Sequence, residues 1–173
     1  MPATWTSPVT WNPGQVVAAS DLNTQLRDNL IYLFTRPQSA VKRDNGASYT
    51  TTSTTFVDID GTNLKITLTI SGSAVLLGFT GVLGLSSPDT QFDFLVDGTR
   101  YASAGSDGLA AMQTPSGYPF GITLVGLVTG LAAGSHTFKI QWKNLTGGTS
   151  TLFAGNGTSG QDFIPTFWAV EVG

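Results

Sequence analysis

From Gln38 to Gly173 the chain is cut by Gly, Pro, Asn and Asp into short runs that alternate apolar and polar residues, with no helical periodicity. In Thr62-Asn63-Leu64-Lys65-Ile66-Thr67-Leu68-Thr69-Ile70, the residues Leu64, Ile66, Leu68 and Ile70 point one way. Lys65, Thr67 and Thr69 point the other, which is the period of a strand with one buried face. The run from His136 to Lys143 repeats the pattern with Phe138, Ile140 and Trp142 inward. Further candidate strands are Thr54 to Asp60, Ala74 to Leu83, Gln91 to Asp97, Thr99 to Ser103, Phe120 to Leu131, Thr149 to Ala154 and Phe163 to Val172. The runs at 74–83 and 120–131 are apolar on both faces, which suits either a contact in an assembly or a larger single core.

About nine local strands with no crossover helices predict an antiparallel sandwich or barrel. The reading is a mainly β fold, a jelly-roll β-sandwich over 38–173, preceded by an arm and one α-helix over 1–37. An immunoglobulin-like sandwich is the nearest competitor, without a tyrosine corner or a placeable Trp signal to support it. Asp97-Gly98 predicts a two-residue hairpin turn, and Ala132-Ala133-Gly134-Ser135 another tight connection.

The segment Met1 to Ala19 has three prolines (Pro2, Pro8, Pro13), two tryptophans (Trp5, Trp11) and no sustained periodicity, the mark of an extended arm. Exposed Trp needs cover, so the arm docks on a surface, either another protein or its own domain. Ser20 to Phe34 predicts a helix of about four turns, with Ser20 as N-cap, Asp21 at the positive end and Arg36-Pro37 after its close. Its apolar residues recur at Leu22, Leu26, Leu30, Leu33 and Phe34. That face serves a short coiled-coil seam or packs on a neighbouring sheet.

Composition removes whole classes of function. Charged residues are 11% of 173, the net charge is −3 and no basic run occurs, so neither nucleic acid nor an anionic membrane is expected as a partner. With no Cys and a single His, thiolate metal sites, Cys nucleophiles and His-rich metal sites are out. The N-terminus has no basic start and no apolar h-region, so no signal peptide is read there.

Little chemistry is left. Asp58 and Asp60 stand two apart and would face one side of a strand, as two ligands for a cation or an acid–base pair, but no third oxygen-rich ligand run is near. Asp93 and Asp97 read as outer-face charges, His136 as a turn residue, and the run from Gly155 to Gly160 as a loop without the Lys of a P-loop. No cofactor, no metal and no enzyme activity are expected. Tyr101, Tyr118 and Phe120, around Pro115, Gly117 and Pro119, lie on a long loop, where aromatics either stack on sugar rings or cap the core.

Two segments carry a resemblance. Thr4-Trp5-Thr6-Ser7-Pro8, Trp11, Gly14-Gln15-Val16-Val17 and Asp21-Leu22-Asn23 through Leu26-Arg27-Asp28-Asn29 resemble the N-terminal signature of a group of tailed-bacteriophage structural proteins, a Trp-Thr-x-Pro arm before a Leu-Arg-Asp-Asn helix. Asp97-Gly98, Ala133-Gly134-Ser135-His136-Thr137-Phe138, Gln141-Trp142 and Phe167-Trp168-Ala169-Val170-Glu171-Val172 are similar to the trimeric jelly-roll heads, of the tumour-necrosis-factor and complement-C1q class, that such proteins carry. The resemblance implies a virion component assembled in the host cytoplasm, a homotrimeric capsid decoration or fibre protein. Its arm and helix would attach it to other virion proteins while the β-domain projects outward, with Trp5, Trp11, Leu22, Leu26, Leu30 and Leu33 in attachment or oligomer contacts. The alternative is a receptor-binding module at a tail tip that holds host glycan through Tyr101, Tyr118 and Phe120.

Overall fold

The computed structural model describes residues 5–84, 89–102, 105, 107–113 and 118–172. Of the residues singled out above, Pro2, Thr4, Ser103, Pro115 and Gly117 lie outside them. The chain divides between Pro37 and Gln38 into two compact units.

The first unit is an extended arm followed by a helix over 19–34, called α1. Ala19–Leu22 and Asn29–Phe34 are α-helical, and Asn23–Asp28 between them is a π-helical segment. Ser20 is not the N-cap: the helix opens one residue earlier, Ala18 holds the extended cap position, and no side chain bonds to the free amides there. At the other end the Thr35 hydroxyl donates to the Ile31 carbonyl at 2.7 Å and closes the last turn ahead of Arg36-Pro37.

Among the described residues the second unit is all strand and loop. Its strands are β1 (Gln38–Lys42), β2 (Tyr49–Thr51), β3 (Val57–Asp58), β4 (Lys65–Ile70), β5 (Ser73–Leu83), β6 (Thr90–Val96), β7 (Thr99–Arg100), β8 (Ala110–Met112), β9 (Phe120–Leu131), β10 (Gly134–Asn144), β11 (Ser150–Leu152) and β12 (Thr166–Glu171). All pairings are antiparallel. Several short strands lie end to end. In the first sheet β1 and β2 run against β12 and β11, these two share one edge of β5, and β9 takes its other edge. In the second, β4 and β3 share one edge of β10, β6 takes the other, and β7 and β8 share the far edge of β6.

Each sheet is therefore four columns wide, and the columns pair as nested shells. The first (β1, β2) pairs with the last (β11, β12), the second (β3, β4) with β10, β5 with β9, and β6 with β7 and β8. That nesting is a jelly roll, the chain folded as one long hairpin and wrapped into two sheets.

Alternation fills the space between them. Leu64, Ile66, Leu68 and Ile70 all point inward, as do Phe138, Ile140 and Trp142. Phe94 and Phe167 stack from opposite sheets at 5.9 Å, and Phe92 bridges Phe79 and Trp142 at 6.3 and 6.2 Å. Asp97-Gly98 forms the expected hairpin turn, with φ of +48° and +84° as a type I′ turn requires. The tight connection at 132–133 is present too, but it carries the chain from β9 in one sheet to β10 in the other.

Candidate functional site

The arm is fastened to one face of its helix. The Thr6 amide donates to Asn29 Oδ1 and Asn29 Nδ2 donates back to the Thr6 carbonyl, both at 2.9 Å. Farther along, the Val9 amide donates to Gln25 Oε1 at 3.1 Å, and the Trp5 ring lies 6.0 Å from that of Tyr32. Gln25, Asn29 and Tyr32 are spaced four and three apart, so they share a face. Asn29 and Tyr32 are the buried residues of Asn29–Phe34. Trp5 and Thr6 of the arm and Asn29 of the helix belong to the signature noted above, so its ends are in contact.

The other side of the helix is bare. Leu22, Leu26, Leu30, Ile31, Leu33 and Phe34 are all exposed in the single chain. Leu22, Leu26, Leu30 and Phe34 follow one another at steps of four, which in an α-helix of about 3.6 residues per turn drift around the axis. The wider i→i+5 turns of Asn23–Asp28 offset that drift between Leu22 and Leu30, while Phe34, a full α-helical step beyond, lies beside the line. Trp11 is exposed beside the turn in which the Gln15 amide bonds to the Asn12 carbonyl.

The outer face of the first sheet is the second large apolar surface. Ala40, Trp168, Gly78 and Val125 stand side by side across four strands, and Gln38, Val170, Leu76 and Leu127 form the next row. These positions alternate with the buried Phe167, Ala169, Leu77, Phe79 and Leu124, so they face out. The Trp168 indole lies flat over Gly78, where a Cβ would come within 2.0 Å of Cζ2. A shallow depression lined by Gln38, Ser39, Ala40, Trp168 and Val170 runs beside it.

The loop aromatics separate. Tyr118 is 69% exposed, and Phe120, 41% exposed, is the first residue of β9 rather than part of a loop. Tyr101 is bound into the frame: its ring meets Phe94 edge-on at 6.2 Å and its hydroxyl bonds to the backbone of Leu127.

The acidic residues are engaged rather than poised for chemistry. Asp58 accepts from Lys139 Nζ and Gln141 Nε2, each at 2.7 Å. Asp60 lies beyond β3, in the following turn, so it does not share a strand face with Asp58. It accepts from the Tyr49 hydroxyl (2.6 Å) and the amides of Asn63 and Thr62, with Arg43 at 3.5 Å. Burial opposes its charge, but these donors, Tyr49 first, hold its carboxyl far below the usual carboxylate range.

Asp93 is not an outer-face charge in water: its side chain is 0% exposed. Arg100 Nε (2.9 Å) and the Ala102 amide (3.0 Å) bind it, and the Arg100 guanidinium rests 3.8 Å from the Phe56 ring centre. His136, at the start of β10, bonds to Asp97 across the two turns at 2.6 Å. Among the described residues no cluster of three His, Cys, Asp or Glu is placed to hold a metal, and no helix is long and apolar enough to cross a membrane.

No family model matches the chain, and no curated protein is significantly similar to it. Solved structures similar to it in part come from infectious bursal disease virus. The Gx strain structure has a TM-score of 0.41 at 12% identity, over 79% of this chain and 37% of that one. For the VP2 subviral particle the values are 0.38 and 11%, over 80% and 38%. The Gt strain gives 0.32 and 12%, over 80% and 37%. The chain thus spans under two fifths of the length of those chains.

Proposed function

We propose that this chain is a non-enzymatic structural protein of a virion, a homotrimeric capsid decoration or fibre protein of a tailed phage, held by its arm and helix with the sandwich projecting outward. The observation that carries this reading is the two-sided first unit. One helix face is occupied by the chain's own arm, and another carries the line of Leu22, Leu26 and Leu30, with Leu33 and Phe34 beside it, facing water. A line of that kind is stable in water once other helices cover it, and three copies about an axis would each do so for the others. The uncharged rows around Trp168 supply a second surface for burial in the same assembly.

The test is the native mass of the full chain by light scattering. A native mass in multiples of three chains is expected, and the double variant Leu26→Glu/Leu30→Glu should fall to no more than two chains with its aromatic circular dichroism unchanged. A wild-type monomer overturns the trimer. Removal of residues 1–37 should abolish incorporation into particles, and normal incorporation of that truncation overturns the attachment role.

A second reading, a tail-tip carbohydrate-binding module, is favoured by one observation, the open Tyr118 ring followed two residues later by the open Phe120 ring. Binding of host surface polysaccharide that Tyr118→Ala removes would support it. Silence across those glycans would set it aside.

A further inference from the structure

Strand β9 ends the first sheet, and no described strand pairs with its outer edge. Tyr101 reports which way its backbone groups point. The Tyr101 hydroxyl accepts from the Leu127 N–H at 3.2 Å and donates to the Leu127 carbonyl at 3.3 Å, so both groups of Leu127 face away from β5. Backbone direction alternates along a strand, and the register with β5 is unbroken from Ala74 to Leu83. Gly121, Thr123 and Val125 therefore offer their N–H and C=O groups to the same open side. Among the described residues none bonds to these groups of Gly121, Thr123 or Val125.

Natural edge strands are kept from pairing by Lys, Pro, bulges or shortness. The Phe120–Leu131 strand has twelve residues, no charge and no proline. Among the described residues Tyr101 closes the edge at Leu127 only, and Gly121 to Val125 stays open.

We propose that the open half of β9 is a strand-addition site whose occupant is β9 of a second copy, paired antiparallel about a twofold axis at Thr123. The three open residues are symmetric about that point. Gly121 faces Val125 of the other copy, Thr123 faces itself, and the exchanged bonds satisfy all three N–H and all three C=O groups on each chain. Each Val125 meets a glycine, so bulk faces space. A strand that pairs with itself must also meet its own charges, which repel when directly opposite, and this one has none. The two Tyr101 side chains fall outside the paired stretch. Such pairing extends the row Trp168, Gly78, Val125 into the second copy's sheet. A twofold contact is not one of those within a threefold trimer, so it goes beyond the reading above: it would join neighbouring trimers, and it holds equally for a chain without the helix contact.

The chain has no cysteine, so one introduced thiol gives an unambiguous cross-link. Across the axis the Thr123 Cα atoms would stand about 5.5 Å apart, within the roughly 4.4–6.8 Å that a disulfide spans. Thr80 lies one strand inward on the same face, and its two copies would stand roughly 15 Å apart at about 4.8 Å per strand. Full-length Thr123→Cys should form a covalent dimer under mild oxidation, and Thr80→Cys should not. Because the gel reads a bond between two chains, the result is independent of how many chains the helix gathers. Thr123→Pro removes an N–H that β5 does not use. It should keep the melting temperature while the Gly121 and Val125 amides, protected in the wild type, exchange at least tenfold faster. No cross-link at residue 123, equal cross-linking at residue 80, or unprotected wild-type amides at 121–125 would each overturn the proposal.

Discussion

His136 faces an acceptor on each ring nitrogen, Asp97 Oδ2 at 2.6 Å from Nδ1 and the Ala132 carbonyl at 2.9 Å from Nε2. Only the imidazolium donates from both. The bond to Asp97 first, and the Ala132 carbonyl second, raise its pKa above the ordinary value. For Asp97, burial pushes upward, but the Thr137 amide at 2.7 Å and the His136 ring outweigh it and hold the carboxyl below its ordinary value. The raised His contributes stability fully below about pH 6.5, lost as pH rises through its folded value. The depressed Asp contributes above about pH 3.9, lost as pH falls through its own. The clamp between the β6–β7 turn and the β9–β10 connection therefore weakens on both sides of that window.

Because the chain has one His, its imidazole resonances titrate alone. A pKa above about 6.5 is expected, falling on Asp97→Asn, while His136→Gln should flatten the loss of stability toward alkaline pH. A wild-type value at or below 6.5 would refute the clamp. The turn at Asp97-Gly98 was legible from its dipeptide, whereas its bond to His136 was not, because the two meet only when β6 and β10 pair. Asp93 was hidden for a similar reason: parity put it on the outer face, but nothing local foretold that Arg100 and Ala102 would cover that face.

Among the elements, β5 and β12 meet where Trp168 lies on Gly78, a contact with no room for a methyl group. Gly78→Ala should destabilise the sandwich by about 1–3 kcal/mol through forced displacement of the indole. Gly121→Ala, which adds a methyl where nothing lies within 4 Å, should change stability by no more than about 0.5 kcal/mol. Equal melting temperatures for the two variants would remove Trp168 from its assigned place.

Long elements were legible to within a residue or two, Ser73–Leu83 expected from Ala74 and Gly134–Asn144 expected over His136 to Lys143. Phe120 to Leu131 is the strand expected, and both of its faces carry apolar residues because one side packs inward while the other forms the outer rows. Shorter strands escaped notice. Gln38–Lys42 alternates only between exposed and half-buried positions, and Ala110–Met112 offers three small or flexible residues with no contrast. The helix was expected from its apolar spacing, but not its π-helical middle, which brings Leu22, Leu26 and Leu30 into line. Hydrogen-bond slippage of that kind leaves no mark in a binary pattern.

Across the whole molecule the chain is poor in charge, at 11%, and the surfaces assigned to assembly are poorer still. The rows around Trp168 and Leu127 hold no ionisable residue, and neither do Leu22, Leu26, Leu30 and Phe34. Association through such surfaces is driven by removing apolar groups from water, a force that is entropic near 25 °C and fades on cooling. Ion pairing across the contact would behave oppositely, since salt screens exposed charges beyond about 10 Å at 0.1 M and more closely above it. The native mass should therefore hold from 50 to 500 mM NaCl (about half to five times that 0.1 M reference) and should drop when the protein is diluted in the cold. Warming the same sample back to about 25 °C should restore it. Dissociation by salt at constant temperature would mean that charged residues outside these rows, rather than the helix line and the sheet face, hold the copies together.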